Sequence, residues 1–186
     1  MKILHIDTSI NGANSASRRI SAEAVRNLIT QHSGAEVIYR DLASAPLPHL
    51  TLAEFATAQS QTALADFQAA DVVVIGTGMY NFTVPSQLKA WIDRIVVAGQ
   101  TFSYTEAGPQ GLAGGKRAIV ALARGGFYAP GTPAAALEHA ETYLRGVLAF
   151  IGIDDIQIVN ADGTAIPDAR DAAIEQAEQQ AAGLAA

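Results

Sequence analysis

The chain reads as an α/β fold: a parallel sheet of five strands with helices packed on both faces. Three observations predict it. Short strand-like runs alternate with helical patterns along the whole length, as chains that build parallel sheets do. The run Asp71-Val72-Val73-Val74-Ile75-Gly76 is apolar at consecutive positions and β-branched, as in a strand buried on both faces. The loops after the first, third and fourth strands are rich in Ser, Asn, Gly and aromatic residues, and in open sheets of this class ligands bind beyond the carboxyl ends of the strands.

The elements follow in order. Strands are predicted near Ile3–Asp7, Glu36–Tyr39, Val72–Gly76, Arg117–Leu122 and Ile156–Val159. Ile20, Ala24, Leu28 and Ile29 make the apolar stripe of a first helix. A helix across Leu52–Ala70 is weakly patterned. Leu88, Trp91, Ile92 and Ile95 make another stripe, with Pro85 suited to a first turn and Gly99 to a stop. Leu137, Ala140, Leu144, Val147 and Ile151 make a further helix, predicted from Thr132-Pro133 to Gly152. Ile174, Ala177, Ala181 and Leu184 form the last. Gly99–Gly115 breaks the alternation: Thr101–Thr105 alternates like a strand and Gly108-Pro109 follows, which predicts a hairpin or flap. Periodicity leaves the strand order open. No internal repeat or linker-like stretch divides residues 1–186, so a single domain is expected.

Composition narrows the function. The 186 residues carry a net charge of -6, so long-range attraction to nucleic acid or to an anionic membrane is not expected. There are no cysteines, which removes thiolate chemistry and Cys-based metal sites and leaves redox work to a bound cofactor. His5, His32, His49 and His139 lack metal-ligand spacing, so no metal site is expected. Met1–Asp7 holds too short an apolar run for a signal peptide, and no run approaches transmembrane length; a cytoplasmic location is the expectation.

The loop Thr8–Arg18 ends on Ser15 and Ser17 at a helix start. Free backbone N–H groups and neutral hydroxyls there suit a monophosphate, although one serine alone would serve as an ordinary cap. Met79-Tyr80-Asn81-Phe82 offers apolar walls and an amide for the polar edge of a flat ring. The glycines of Ala123-Arg124-Gly125-Gly126 expose backbone donors suited to charge developing on a ring carbonyl, or simply make an ordinary tight turn. No G-x-G-x-x-G follows the first strand, Gly115-Lys116 lacks the rest of a P-loop, and no G-x-S-x-G elbow appears. Trp91 reads as core or subunit contact and Asp41 as a loop residue.

These residues, with Tyr39–Leu42, Gln87–Lys89, Gly99–Glu106, Gly111-Leu112 and Phe150–Ile153, resemble the FMN-dependent NADH:quinone oxidoreductase and azoreductase family of the flavodoxin-like fold. The resemblance implies a three-layer sandwich. It implies FMN as cofactor, with Ser9, Ser15, Ala16 and Ser17 at the phosphate, Met79, Tyr80, Asn81 and Phe82 around the ring, and Ala123, Arg124, Gly125 and Gly126 at its pyrimidine edge. It implies NAD(P)H as electron donor, with NADH favoured over NADPH, two-electron reduction of quinones, reductive cleavage of azo compounds and a ping-pong order. It also implies a homodimer with sites at the subunit interface, to which the Phe102–Tyr104 flap contributes. The alternative is a flavodoxin-type electron carrier, or a general FMN reductase without azo activity. Three positions depart from the family pattern: Ala123 stands for a common Ser, Gly78 for a frequent Pro, and Tyr128 for His. Tyr128 is the candidate catalytic residue, as proton donor or pocket wall. The Leu50–Ala70 region reads as shorter than in some relatives.

Overall fold

The computed structural model describes residues 1–185. Five parallel strands, β1 (Lys2–Asp7), β2 (Glu36–Asp41), β3 (Val72–Gly78), β6 (Arg117–Arg124) and β7 (Asp155–Asp162), form one sheet in the order β2-β1-β3-β6-β7. A separate antiparallel hairpin pairs β4 (Phe102–Thr105) with β5 (Gly108–Gly111). Helices α1 (Ala16–Gln31) and α6 (Pro167–Ala182) cover one face. Helices α3 (Ala58–Ala69), α4 (Ser86–Ile95) and α5 (Ala140–Phe150) cover the other, with the short α2 (Leu52–Phe55) ahead of α3.

The burial pattern explains the strand order. All seven residues of β3 are buried, as a central strand between two helical layers requires. β2 and β7 are only partly buried because they are the edges. Each face has its own core. Ile3, Val74, Ile119 and Val159 meet Ile20, Leu28 and Ala177 on one side. Leu4, Ile75, Val120 and Leu122 meet Phe67, Trp91 and Leu144 on the other. Trp91 is core, with its ring edge-on to Phe67 at 6.1 Å.

Two expectations are corrected. The helix predicted from Thr132-Pro133 starts at Ala140; the segment before it makes turns and one 3₁₀ turn, Ala135–Leu137. Glu138 sets the start, because its carboxylate accepts the N–H groups of Ala140, Glu141 and Thr142 that open the helix. Burial opposes the charge, but these bonds together with the Thr142 hydroxyl hold its carboxyl below the usual range. The weak Leu52–Ala70 pattern resolves into two helices, broken where Thr57 caps α3 through the N–H of Ser60.

The flap is rooted at the amino edge of the sheet. Ala113 N–H donates to Ile151 at the end of α5, Phe102 packs on Phe150 at 4.8 Å, and Gln100 meets Gln68 at the end of α3. Tyr104 is 76% exposed.

Candidate functional site

The carboxyl edges of β1, β3 and β6 lie side by side, so the three loops singled out by their composition converge. They enclose a cavity of about 300 Å³. Ser9, Ser15, Ala16 and Ser17 line it from the first loop, Met79 and Tyr80 from the second, and Ala123 and Gly125 from the third.

In the first loop the hydroxyls of Ser15 and Ser17 lie 3.1 Å apart, and both side chains are buried with that of Ser9. Ser15 caps α1 by accepting the N–H of Arg18 at 3.3 Å. One serine therefore does the capping, and the other two hydroxyls face the cavity. The N–H groups of Ala16 and Ser17 find no acceptor among the described residues, as the first donors of a helix do not.

The loop is held from beneath by a polar network. Arg18 donates to both carboxylate oxygens of Asp41, at 2.8 and 2.7 Å, and twice to the carbonyl of Ser9, at 3.3 and 2.9 Å. It also donates to the Tyr39 hydroxyl, which donates in turn to Asp7 at 3.0 Å. Ser21 donates to the other oxygen of Asp7 and lies 3.0 Å from His5 Nε2. The Arg18 hydrogen bonds hold Asp41 at a pKa of about 2, helped by the N–H groups of Ala43 and Ser44. Burial, with the Asp7 charge added, pushes Tyr39 up to about 12, so the phenol keeps its proton. Gly76 makes room for this network: a Cβ there would overlap Asp7 Oδ1 and stand 2.6 Å from Ser21 Oγ.

The second loop turns tightly. Tyr80 and Thr83 exchange backbone hydrogen bonds at 2.8 and 3.1 Å, and the residues between them both have positive φ, Asn81 at 48° and Phe82 at 73°. That is the signature of a type I′ turn, costly for an aromatic residue. It leaves both side chains exposed beyond the sheet edge. The Tyr80 hydroxyl closes back on the first loop, accepting the N–H of Ile10 at 3.1 Å and lying 3.4 Å from Ser9 Oγ. Its ring lies over Gly78, where a Cβ would stand 2.9 Å from the ring.

In the third loop the carbonyls of Arg124, Gly125 and Gly126 accept the N–H groups of Thr164, Ala165 and Gly163. The N–H groups of Gly125 and Gly126 have no acceptor among the described residues. The Arg124 side chain turns away from the cavity and is buried. It makes a two-pronged bond to Asp162, at 2.6 and 2.9 Å, with Glu141 3.5 Å away. The half-buried Tyr128 stands outside the cavity, its ring over Gly126 and edge-on to Phe82 at 6.3 Å.

Sequence reasoning missed a fourth contributor. Thr164 and Ala165, after β7, and Arg170, in the first turn of α6, also line the cavity. The signal was an arginine opening the helix that follows the last strand, legible only once β7 is known to lie beside β6. Asp41, read as a loop residue, closes β2 and anchors Arg18. No group of His, Asp or Glu residues suited to a metal occurs among the described residues.

The donor set fits a flavin mononucleotide. Neutral hydroxyls and free N–H groups at a helix start suit its phosphate, a Met/Tyr wall suits its ring, and unbonded glycine N–H groups suit its carbonyl edge.

The chain is similar to known proteins over its whole length. A family model described as flavodoxin-like fold matches residues 1–184. An FMN-dependent NADH:quinone oxidoreductase from Methylorubrum extorquens is 54% identical, over all of both chains. That alignment runs over 202 positions against 186 residues, so the relative carries segments that this chain lacks. FMN-dependent NADH:quinone oxidoreductase 2 from Bradyrhizobium diazoefficiens is 52% identical, again over all of both chains. Among solved structures, an azoreductase from Bacillus anthracis superposes with a TM-score of 0.89 at 27% identity, covering 98% of this chain and 97% of that one. An FMN-dependent NADH-azoreductase from the same species, in complex with FMN, gives a TM-score of 0.84 at 27% identity, covering 97% and 98%.

Proposed function

This chain belongs to the flavodoxin-like family of the FMN-dependent NADH:quinone oxidoreductases, and on that premise we propose that it uses NADH to reduce quinones by two electrons and to cleave aromatic azo compounds. The observation that carries the reading is the convergence of three loops on one cavity at the carboxyl edge of the sheet, with free backbone donors in the first and third.

FMN held in this cavity would supply the redox chemistry, hydride acceptance from NADH and two-electron reduction of the acceptor in a ping-pong order. The chain supplies binding and electrostatics. Ser9, Ser15, Ala16 and Ser17 hold the phosphate through hydroxyls and helix N–H groups. Met79, Tyr80, Asn81 and Phe82 wall the ring, and their type I′ turn sets the angle of that wall. Ala123, Gly125 and Gly126 face the pyrimidine edge, where the glycine N–H groups meet negative charge on the ring carbonyls. Arg124 acts through its backbone, while its side chain ties the loop to Asp162. Tyr128, outside the cavity and edge-on to Phe82, gives a proton to the acceptor or walls it in.

The same reading extends to the assembly. The chain acts as one domain over residues 1–186 and as a cytoplasmic homodimer. No helix among the described residues is long and apolar enough to cross a membrane. The flap springs from the edge opposite the cavity and exposes Tyr104, so it serves the site of a second copy. Exposed Phe82 and Phe127 supply apolar area for that contact.

Steady-state NADH oxidation with menadione tests the activity. Turnover that depends on added FMN is the expected result; an FMN-loaded protein that leaves menadione unreduced contradicts it.

A further inference from the structure

Of the residues lining the cavity, Arg170 alone carries a charge. Its guanidinium donates to the carbonyl of Thr164 at 3.0 Å and to that of Asn14 at 3.1 Å, bridging the loop after β7 to the loop after β1. It has no carboxylate partner among the described residues. The other arginines near this edge are neutralised: Arg18 by Asp41, Arg19 by Glu178 and Arg124 by Asp162. Two carbonyls engage two of the five guanidinium N–H donors, so others are left to meet a ligand. Those two bonds also hold the charge at the wall of the cavity that Ser15, Ala16 and Ser17 line from the first loop.

A phosphate monoester entering this cavity brings about two negative charges into a protein of net charge -6. The serine hydroxyls and helix donors are neutral groups, so they leave that charge uncompensated. We propose that Arg170 is the counter-cation of the flavin phosphate, and that it makes the site select FMN over unphosphorylated riboflavin. This rests on the FMN reading above, which assigns the phosphate only to the first loop. The bridge to Asn14 adds a geometric role, because the same side chain draws the start of α6 onto the phosphate-binding loop.

The test is a fluorescence titration of the full-length apoprotein with FMN and with riboflavin, at low salt and at about 0.5 M NaCl, for the wild type, Arg170→Gln and Arg170→Lys. Loss of a charge-assisted contact predicts that R170Q binds FMN about tenfold or more weakly. Riboflavin affinity stays at the wild-type level. The wild-type preference for FMN shrinks with salt, that of R170Q does not, and R170K keeps most of it. Equal weakening of both flavins in R170Q, or unchanged FMN binding, overturns the assignment. Should R170Q fail to fold, an FMN preference that ignores salt in both the wild type and R170K overturns it. A wild type that binds neither flavin sinks the FMN reading itself, whereas a wild type that binds FMN only as well as R170Q does sinks the Arg170 assignment alone.

Discussion

At the scale of single residues, Arg18 links stability to the site. It joins Asp41 to the Ser9 carbonyl, so one side chain sets both the end of β2 and the shape of the phosphate loop. Asp41 has its pKa depressed to about 2 by Arg18, and a depressed carboxylate contributes stability that is present above its unfolded value and lost as pH falls through the folded one. Asp41→Asn should therefore cost about 1–2 kcal/mol at neutral pH, a figure reduced for the partial exposure of the pair. The gap to wild type should narrow as pH falls from about 5 towards 2. Urea unfolding across that range measures it, and a gap that stays constant would contradict the pairing. Gly76 makes a sharper case. Gly76→Ala drives a methyl group into Asp7 and Ser21, between β1 and β3, and should lower stability by about 3 kcal/mol or abolish folding. A thermal melt matching wild type would show that the network has slack.

At the scale of elements, α5 offers two substitutions of opposite sign. Glu138 accepts three N–H groups at the helix start, so Glu138→Ala should cost about 1–2 kcal/mol. Gly146 is exposed in the same helix, and a methyl group added there would meet nothing within 4 Å, so Gly146→Ala should add about 0.5–1 kcal/mol. Denaturant midpoints check both; equal midpoints would mean that packing, not helix chemistry, sets the stability of α5. The start of α5 also shows where sequence patterns stop. Thr132-Pro133 looks like a helix opening, but the acceptor that opens the helix sits at Glu138, outside the apolar stripe, and its work depends on where its side chain points. The strands were legible because burial on both faces writes itself into consecutive apolar residues such as Val72–Ile75. The hairpin was legible because Thr101–Thr105 alternates and Gly108-Pro109 turns the chain. The break before α3 was not, since Thr57 is an ordinary residue until its hydroxyl meets the N–H of Ser60.

At the scale of the whole molecule, the order β2-β1-β3-β6-β7 makes the site, because it brings the ends of β1, β3 and β6 together from distant parts of the chain. Loop composition pointed to three of the four walls. The fourth, Thr164 and Ala165 with Arg170, has no distinctive composition and became visible only through the pairing of β7 with β6. The Arg18–Asp41 tie was hidden for a similar reason: it spans 23 positions and crosses from a helix to an edge strand. Titration of the apoprotein with FMN tests whether one FMN per chain lies across the three strand ends. Binding should saturate at one FMN per chain, with affinity weakened at least about tenfold by Ser17→Ala while the melting temperature stays near wild type, because Ser15 alone caps α1. A colourless protein at saturating FMN, or binding indifferent to Ser17, would contradict it.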